Sequence, residues 1–78
     1  MVGKENELIS FYKFKLSKYK SNNIIIGNLN FYLGAIYLGI DNKTAKKYFE
    51  KSKEVFKKVF KDDHYIFGVI EDALGRCN

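Results

Sequence analysis

NKTAKKYFEKSKEVFKKVFK, residues 42–61, decides the fold because its apolar and small residues recur once per helical turn. These residues form one continuous stripe: Ala45, Tyr48, Phe49, Ser52, Val55, Phe56, Val59 and Phe60. Steps of three and four residues keep side chains on the same face of an α-helix. Lysines and glutamates fill the opposite face, and Asp41 or Asn42 can cap the first turn. The stretch therefore predicts an amphipathic helix over residues 42–61.

The segment before it, residues 23–39, is apolar on nearly every side of a helix, which predicts burial on more than one side. Gly27 and Gly34 are seven residues apart in this segment and share a helical face. A glycine inside a helix costs about 1 kcal/mol relative to alanine. We therefore expect the two glycines to be compensated by the close approach of a neighbouring helix.

Two further helices are predicted on the outside, over residues 4–20 and 63–77. The first places Leu8, Ile9, Tyr12, Leu16 and Tyr19 on one side, and Phe11 and Phe14 widen that side. The last carries Ile66, Phe67, Ile70, Ala73 and Leu74, and Asp62 or Asp63 is the predicted cap. Short breaks rich in turn-forming residues separate the segments, and short connections make neighbouring helices antiparallel. The predicted fold is all-α, a single domain over residues 1–78 with four antiparallel helices at 4–20, 23–39, 42–61 and 63–77.

A recurrence links the second and last helices. Leu33-Gly34-Ala35-Ile36 returns 34 residues later as Phe67-Gly68-Val69-Ile70. The first helix can be aligned with the third in two ways. An offset of 33 matches Tyr12, Leu16 and Tyr19 to Ala45, Phe49 and Ser52, whereas an offset of 35 matches Phe14 and Ser17 to Phe49 and Ser52. The helical face favours the first alignment, and the second stays open.

A helix-pair repeat of this length resembles the tetratricopeptide repeat. The opening Leu-Gly with a tyrosine three residues later is Leu33, Gly34 and Tyr37 here, and the small–aromatic–small series of the second helix is Ala45, Phe49 and Ser52. The resemblance covers residues 28–61, with half-copies on each side. It differs from the family pattern in having a shorter turn after Tyr37, Glu71 in place of a second such tyrosine, and no closing proline.

The resemblance implies stacked helix hairpins that bind a protein segment, a peptide or a second copy of the chain. In that family the first helix of each pair lines the ligand groove. By this resemblance the partner-binding residues are Asn28, Phe31, Ala35, Leu38, Tyr65 and Val69. The competing interpretation is that the first and last helices cover these residues. The expected function is a protein–protein interaction module, with a homodimer as one form of it.

The charge of the chain supports an alternative function. The formal net charge is +5, and thirteen of the fourteen basic residues are lysines. The basic face of the third helix consists of Lys43, Lys46, Lys47, Lys53 and Lys57. A small nucleic-acid-associated regulator could track phosphates with this face. A solvated lysine face is the plainer interpretation, because arginine and interleaved aromatics are absent from it.

Residues suited to catalysis are sparse. His64 is the only histidine and Cys77 the only cysteine, so a Cys–His pair would have to form at the end of the chain. Asp62, Asp63 and His64 are consecutive at a helix start and diverge, whereas metal sites need converging ligands. The sequence has no glycine-rich phosphate loop and no cysteine pair. We therefore predict no enzymatic activity, no cofactor and no metal.

The same composition also bears on cellular location and on membrane association. A single cysteine and the lack of an apolar leader run near Met1 favour the cytoplasm. Residues 21–40 carry no charge, and about 20 residues can span a bilayer. Asn28, Asn30 and three glycines make this stretch a poor membrane span, so no membrane partner is expected.

Overall fold

The computed structural model describes residues 2–19 and 23–78, which form four α-helices and no strand. The helices are α1 (Val2–Leu16), α2 (Ile24–Tyr37), α3 (Asn42–Lys57) and α4 (Tyr65–Arg76). The predicted all-α class is confirmed. Helix α1 ends at Leu16, and the predicted end at residue 20 lies outside the described residues. Within the described part of the chain, no helix is long and apolar enough to cross a bilayer.

Helix α3 supplies the two largest side chains of the core, Phe49 and Phe56. Its buried residues are the centre of the predicted stripe: Ala45, Phe49, Ser52, Val55 and Phe56. Phe49 and Phe56 are each 1% exposed, so both rings are fully enclosed by neighbouring helices. The 3.6-residue spacing of large side chains thus predicted the centre of the buried face, whereas α3 ends at Lys57 and Val59, at the end of the predicted stripe, is exposed.

Helix α2 lies directly against α3 because two glycines remove side chains from the contact. A Cβ atom on Gly27 would lie 2.5 Å from Cε1 of Phe56, and one on Gly34 would lie 2.7 Å from Cδ1 of Phe49. Carbon atoms in contact prefer about 3.5–4.0 Å. The buried Ser52 hydroxyl also donates a hydrogen bond of 2.9 Å to the Gly27 carbonyl. The predicted close approach of a helix to Gly27 and Gly34 is confirmed.

The turn between α2 and α3 makes these helices antiparallel. Gly39 has φ +90°, a left-handed conformation that glycine adopts without steric penalty. Its N–H donates to Asn42 Oδ1 at 2.7 Å. Asp41 is the N-cap of α3 and accepts hydrogen bonds from the Thr44 N–H and hydroxyl groups. The chain therefore reverses within a few residues, and one of the two predicted caps is correct.

The outer helices extend the same zigzag. Helix α1 packs on α2, where the rings of Tyr12 and Tyr32 lie 5.6 Å apart, and α4 packs on α3, where Lys53 pairs with Glu71. The Cα atoms fill a flat volume of 37 × 30 × 16 Å, thin enough for about two helix layers. Each helix in so thin an assembly keeps part of its surface open.

The cap of α4 differs from the prediction. His64 is the N-cap, and its Nδ1 accepts the Ile66 N–H at 3.1 Å, whereas Asp62 and Asp63 lie exposed in the preceding turn. The imidazole is stacked on Phe60, with ring centroids 4.0 Å apart, and on Tyr65 at 4.6 Å. These aromatic contacts hold the imidazole at the helix start, so the aspartates are not needed there.

Helix α1 buries only one edge of its apolar surface. Ile9, Tyr12 and Leu16 are half-buried toward α2, whereas Phe14 remains 61% exposed. Phe49, the α3 residue in question, is fully buried, so Leu16 and not Phe14 occupies the equivalent position. The 33-residue alignment therefore fits better at Phe49, but it also matches Tyr19, which is 38% exposed, to the fully buried Ser52, so burial does not decide between the two alignments.

Candidate interaction surfaces

Three members of the predicted partner-binding set are half-buried, Asn28, Phe31 and Leu38, and the last two lie where α2 and α4 meet the same side of α3. Phe31 and Leu38 pack against a buried cluster of Ala45, Phe49 and Ala73. The Phe31 and Phe49 rings are 5.2 Å apart. Leu74 and Cys77 of the α4 end pack against the same cluster. The last helix therefore covers part of the predicted set, as the competing interpretation held.

Other members of the set are open. Tyr65 is 75% exposed and Val69 is 43% exposed, and Ala35 is exposed on α2. Ala35 follows Phe31 by one helical turn, and Val69 precedes Ala73 by one turn, so the open residues border the buried cluster. We call the predicted set, Asn28, Phe31, Ala35, Leu38, Tyr65 and Val69, the α2–α4 surface.

The α2–α4 surface is apolar and nearly uncharged. Residues 21–40 contain no Asp, Glu, Lys or Arg, although the chain is rich in lysine. On the α4 side, Asp72 and Arg76 pair with each other at 3.3 Å across one helical turn. A ligand at this surface would gain free energy mainly from burying apolar area.

The basic face of α3 is less positive than its lysine count indicates. Lys43, Lys46, Lys47 and Lys57 are exposed, but Lys53 is half-buried and bonded to Glu71. Glu50 and Glu54 also lie exposed among these lysines: Glu50 follows Lys46 by four residues, and Glu54 precedes Lys57 by three. Residues at these spacings are helical neighbours. Carboxylates therefore interrupt the line of positive charge that a phosphate backbone would follow.

A third surface, on α1, was not identified from the sequence. Leu8, Phe11 and Phe14 are 43%, 50% and 61% exposed. The ammonium groups of Lys15 and Lys18 lie 5.2 Å and 4.7 Å from the centres of the Phe11 and Phe14 rings. The sequence interpretation assigned these aromatics to the core side. They lie outside the core because α1 packs on α2 through the edge formed by Ile9, Tyr12 and Leu16.

Among the residues that the structure describes, Asp41 and Lys13 have shifted pKa values, and both shifts have structural causes. Hydrogen bonds from Thr44 lower the pKa of the Asp41 carboxyl below its usual value, consistent with its role as a cap. A hydrogen bond to Tyr37 raises the pKa of the Lys13 ammonium.

His64 and Cys77, whose side chains are suited to catalysis, make local structural contacts. His64 caps α4, and the Cys77 thiol donates to the Ala73 carbonyl at 3.5 Å. Among residues 2–19 and 23–78, no group of three His, Cys, Asp or Glu side chains is placed to hold a metal ion. The contacts of His64 and Cys77 are therefore of the kind found at the ends of helices.

The chain matches no protein-family model, no curated protein and no solved structure. The evidence for its function therefore comes from the exposed surfaces described above.

Proposed function

We propose that the chain is a tetratricopeptide-like interaction module that binds an apolar segment of another protein on the α2–α4 surface. The observation that carries the proposal is that Tyr65, Val69 and Ala35 are exposed and Phe31 is half-buried within a nearly uncharged surface. Exposed apolar surface that adjoins the core is typical of protein-binding sites.

The helix arrangement supports the same proposal. Helices α2 and α4 both pack on α3. Where α2 crosses α3, the small residue Gly34 lies against the aromatic ring of Phe49. The resemblance to the tetratricopeptide repeat implies a binding surface on the first helix of each pair, and stacked helical repeats in general bind partners along an extended surface. A flat, thin assembly suits binding along its surface better than enclosing a small molecule.

The exposed areas of Tyr65 and Val69 account for only part of the free energy of a micromolar interaction. Covering the exposed parts of Tyr65 and Val69 would contribute on the order of 3 kcal/mol at roughly 25 cal/mol per Å² of apolar area. A dissociation constant of about 1 µM requires about 8 kcal/mol net. The partner segment must therefore also contact Phe31 and Ala35, so a segment several helical turns long is expected.

The nucleic-acid alternative has less support. It requires an unbroken basic face on α3, and Glu50, Glu54 and the Lys53–Glu71 pair reduce the positive charge there. Binding through phosphates would also weaken steeply as salt is added, whereas apolar binding would not. A titration at several salt concentrations therefore separates the two functions.

The proposal can be tested by selecting peptides from a random library against the wild-type chain and measuring their affinity for two matched variants. Val69→Asp places a charge on the α2–α4 surface. Val59→Asp makes the same change at a residue of similar exposure, 37% against 43%, just beyond α3. We expect Val69→Asp to weaken binding at least tenfold, since a buried unpaired charge costs well over about 1.4 kcal/mol. Val59→Asp should leave the affinity within about threefold.

Equal effects of the two variants would place the peptide elsewhere and contradict the proposal. Sedimentation equilibrium of the free chain provides the second readout. A wild-type dimer that Val69→Asp dissociates would make the occupant a second copy of the chain instead of a partner segment. A monomer that selects no peptide would refute the proposed function.

A further inference from the structure

The outer face of α1 combines exposed apolar side chains with lysines. We define it as Lys4, Leu8, Phe11, Phe14, Lys15 and Lys18, all of which are exposed. Steps of three and four residues align Lys4 to Lys15 along one side of the helix for about 17 Å, and Lys18 lies in the turn just after Leu16, with its ammonium group 4.7 Å from the centre of the Phe14 ring. Leu8 and Phe11 occupy the middle, and the lysines lie toward the two ends. Helix α1 packs on α2 along its opposite edge, so this face points to solvent.

We propose that the outer face of α1 docks on the surface of a lipid bilayer that contains anionic headgroups. Charge complementarity selects the partner, because three lysines and one acidic residue, Glu7, lie along this side of the helix. Exposed leucine and phenylalanine side chains can enter the membrane interface below the headgroups, while lysines beside them keep their ammonium groups at headgroup level. Lysines reach the lipid phosphates with their flexible stems.

In this arrangement α1 lies parallel to the bilayer plane, and residues 21–40 do not enter the membrane. The expectation of no membrane partner came from the poor suitability of residues 21–40 as a membrane span, and the α1 face is a separate feature. It is also distinct from the α2–α4 surface, so docking on lipid leaves the proposed protein-binding surface free.

Two other occupants fit the geometry less well. Single-stranded nucleic acid binds by stacking bases on aromatic ring faces, but the Lys15 and Lys18 ammonium groups lie over the Phe11 and Phe14 rings. A second copy of the chain, paired antiparallel through α1 about Phe11, would place Lys4 opposite Lys18. A lipid surface avoids both conflicts, because the lysine stems can extend from the rings toward the headgroups while the rings contact the acyl chains.

Vesicle co-sedimentation tests the proposal, with phosphatidylcholine vesicles compared to phosphatidylcholine containing about one third phosphatidylserine. The wild-type chain should bind the anionic vesicles and not the neutral ones. Each lysine at the surface contributes about a fivefold gain in partitioning, so Lys15→Gln/Lys18→Gln should lose about 25-fold. Lys43→Gln/Lys46→Gln on α3 removes the same charge and should lose less than about threefold.

A second pair of variants tests the apolar contribution. Phe11→Ser/Phe14→Ser should weaken vesicle binding at least tenfold, because about 1.4 kcal/mol is readily lost with two exposed rings. Tyr65→Ser/Val69→Ser, on the α2–α4 surface, should leave it unchanged. Helical circular dichroism of every variant verifies folding, which exposed substitutions are expected to preserve.

Three results would overturn the inference. Equal losses for the α1 and α3 lysine pairs would show attraction to total charge instead of docking through α1. Binding to a single-stranded oligonucleotide that is tighter than vesicle binding, and lost in Lys15→Gln/Lys18→Gln, would assign the face to nucleic acid. Unchanged vesicle binding by Phe11→Ser/Phe14→Ser would remove the apolar contact on which docking depends. None of these results bears on the peptide selection that tests the proposed function.

Discussion

Replacing Gly34 with alanine adds one methyl group at the tightest part of the α2–α3 contact. The new Cβ would lie 2.7 Å from both Cδ1 and Cε1 of Phe49. Phe49 is 1% exposed and contacts Phe31 on one side, so its ring has little free space into which it can move. The two helices must separate, or the ring must leave its preferred rotamer.

The expected magnitude combines two opposing effects. Alanine is favoured over glycine inside a helix by about 1 kcal/mol. Adding a methyl group to a filled core costs about 1–3 kcal/mol. For Gly34→Ala the steric effect dominates, and we expect the free energy of unfolding to fall by about 1 kcal/mol. In a domain of this size, that corresponds to a midpoint temperature lower by about 4–8 °C.

Gly68→Ala provides the matched control, because no atom outside the local helix backbone lies within 4 Å of a Cβ there. It should raise stability by about 0.5–1 kcal/mol, as expected for a helix interior. Urea unfolding followed by circular dichroism measures both variants. If Gly34→Ala stabilises the chain as much as Gly68→Ala does, the close approach of α2 and α3 at Phe49 is refuted. The cost of Gly34→Ala should shrink in a Phe49→Leu background, where the large ring is absent.

Three further predictions concern buried polar contacts, the cap of α3 and the α3–α4 ion pair. Ser52→Ala removes the buried hydrogen bond to the Gly27 carbonyl and should cost about 1 kcal/mol in urea unfolding. The Asp41 carboxylate has a lowered pKa in the folded chain, so it stabilises α3 fully above about pH 4 and loses that contribution as pH falls through the folded pKa. Asp41→Asn still caps but does not titrate, so the stability difference between wild type and this variant should be constant above about pH 4 and shift below it. A double-mutant cycle of Lys53→Gln and Glu71→Gln should give a coupling of about 0.2–1 kcal/mol that declines with added salt.

Two of these predictions have a control within the chain. Ser17 is exposed and donates to the Phe14 carbonyl, so Ser17→Ala should change stability by less than about 0.5 kcal/mol. A loss as large as that of Ser52→Ala would argue against a special role for the buried hydroxyl. The Asp72–Arg76 pair is more exposed than Lys53–Glu71 and should give the weaker coupling. A stability difference for Asp41→Asn that does not change below about pH 4 would contradict the capping carboxylate.

The sequence predicted those features that depend on helical spacing alone. The buried face of α3 followed from large side chains repeating at three and four residues, and the close contacts of Gly27 and Gly34 followed from the cost of an uncompensated glycine. Asp41 was predictable as a cap because its side chain accepts hydrogen bonds from the turn that follows. All of these are local properties that a short window of sequence contains.

The features that were missed depend on how many neighbours a helix has. Phe11 and Phe14 extend the apolar side of α1, yet they are exposed because α1 packs mainly on α2. His64 caps α4 in place of the adjacent aspartates because Phe60 and Tyr65 stack on its ring, a contact between residues on both sides of a turn. Periodicity identifies which residues are apolar, but tertiary packing decides which of them are covered.

Chemical-shift mapping of the isotopically labelled chain with a peptide selected against it tests the protein-binding proposal most directly. We expect the largest amide shifts on the outward side of α2 and on α4, at Asn28, Phe31, Ala35, Tyr65 and Val69. Shifts confined to the lysine face of α3 or to the outer face of α1 would contradict the assignment of the α2–α4 surface as the protein-binding site.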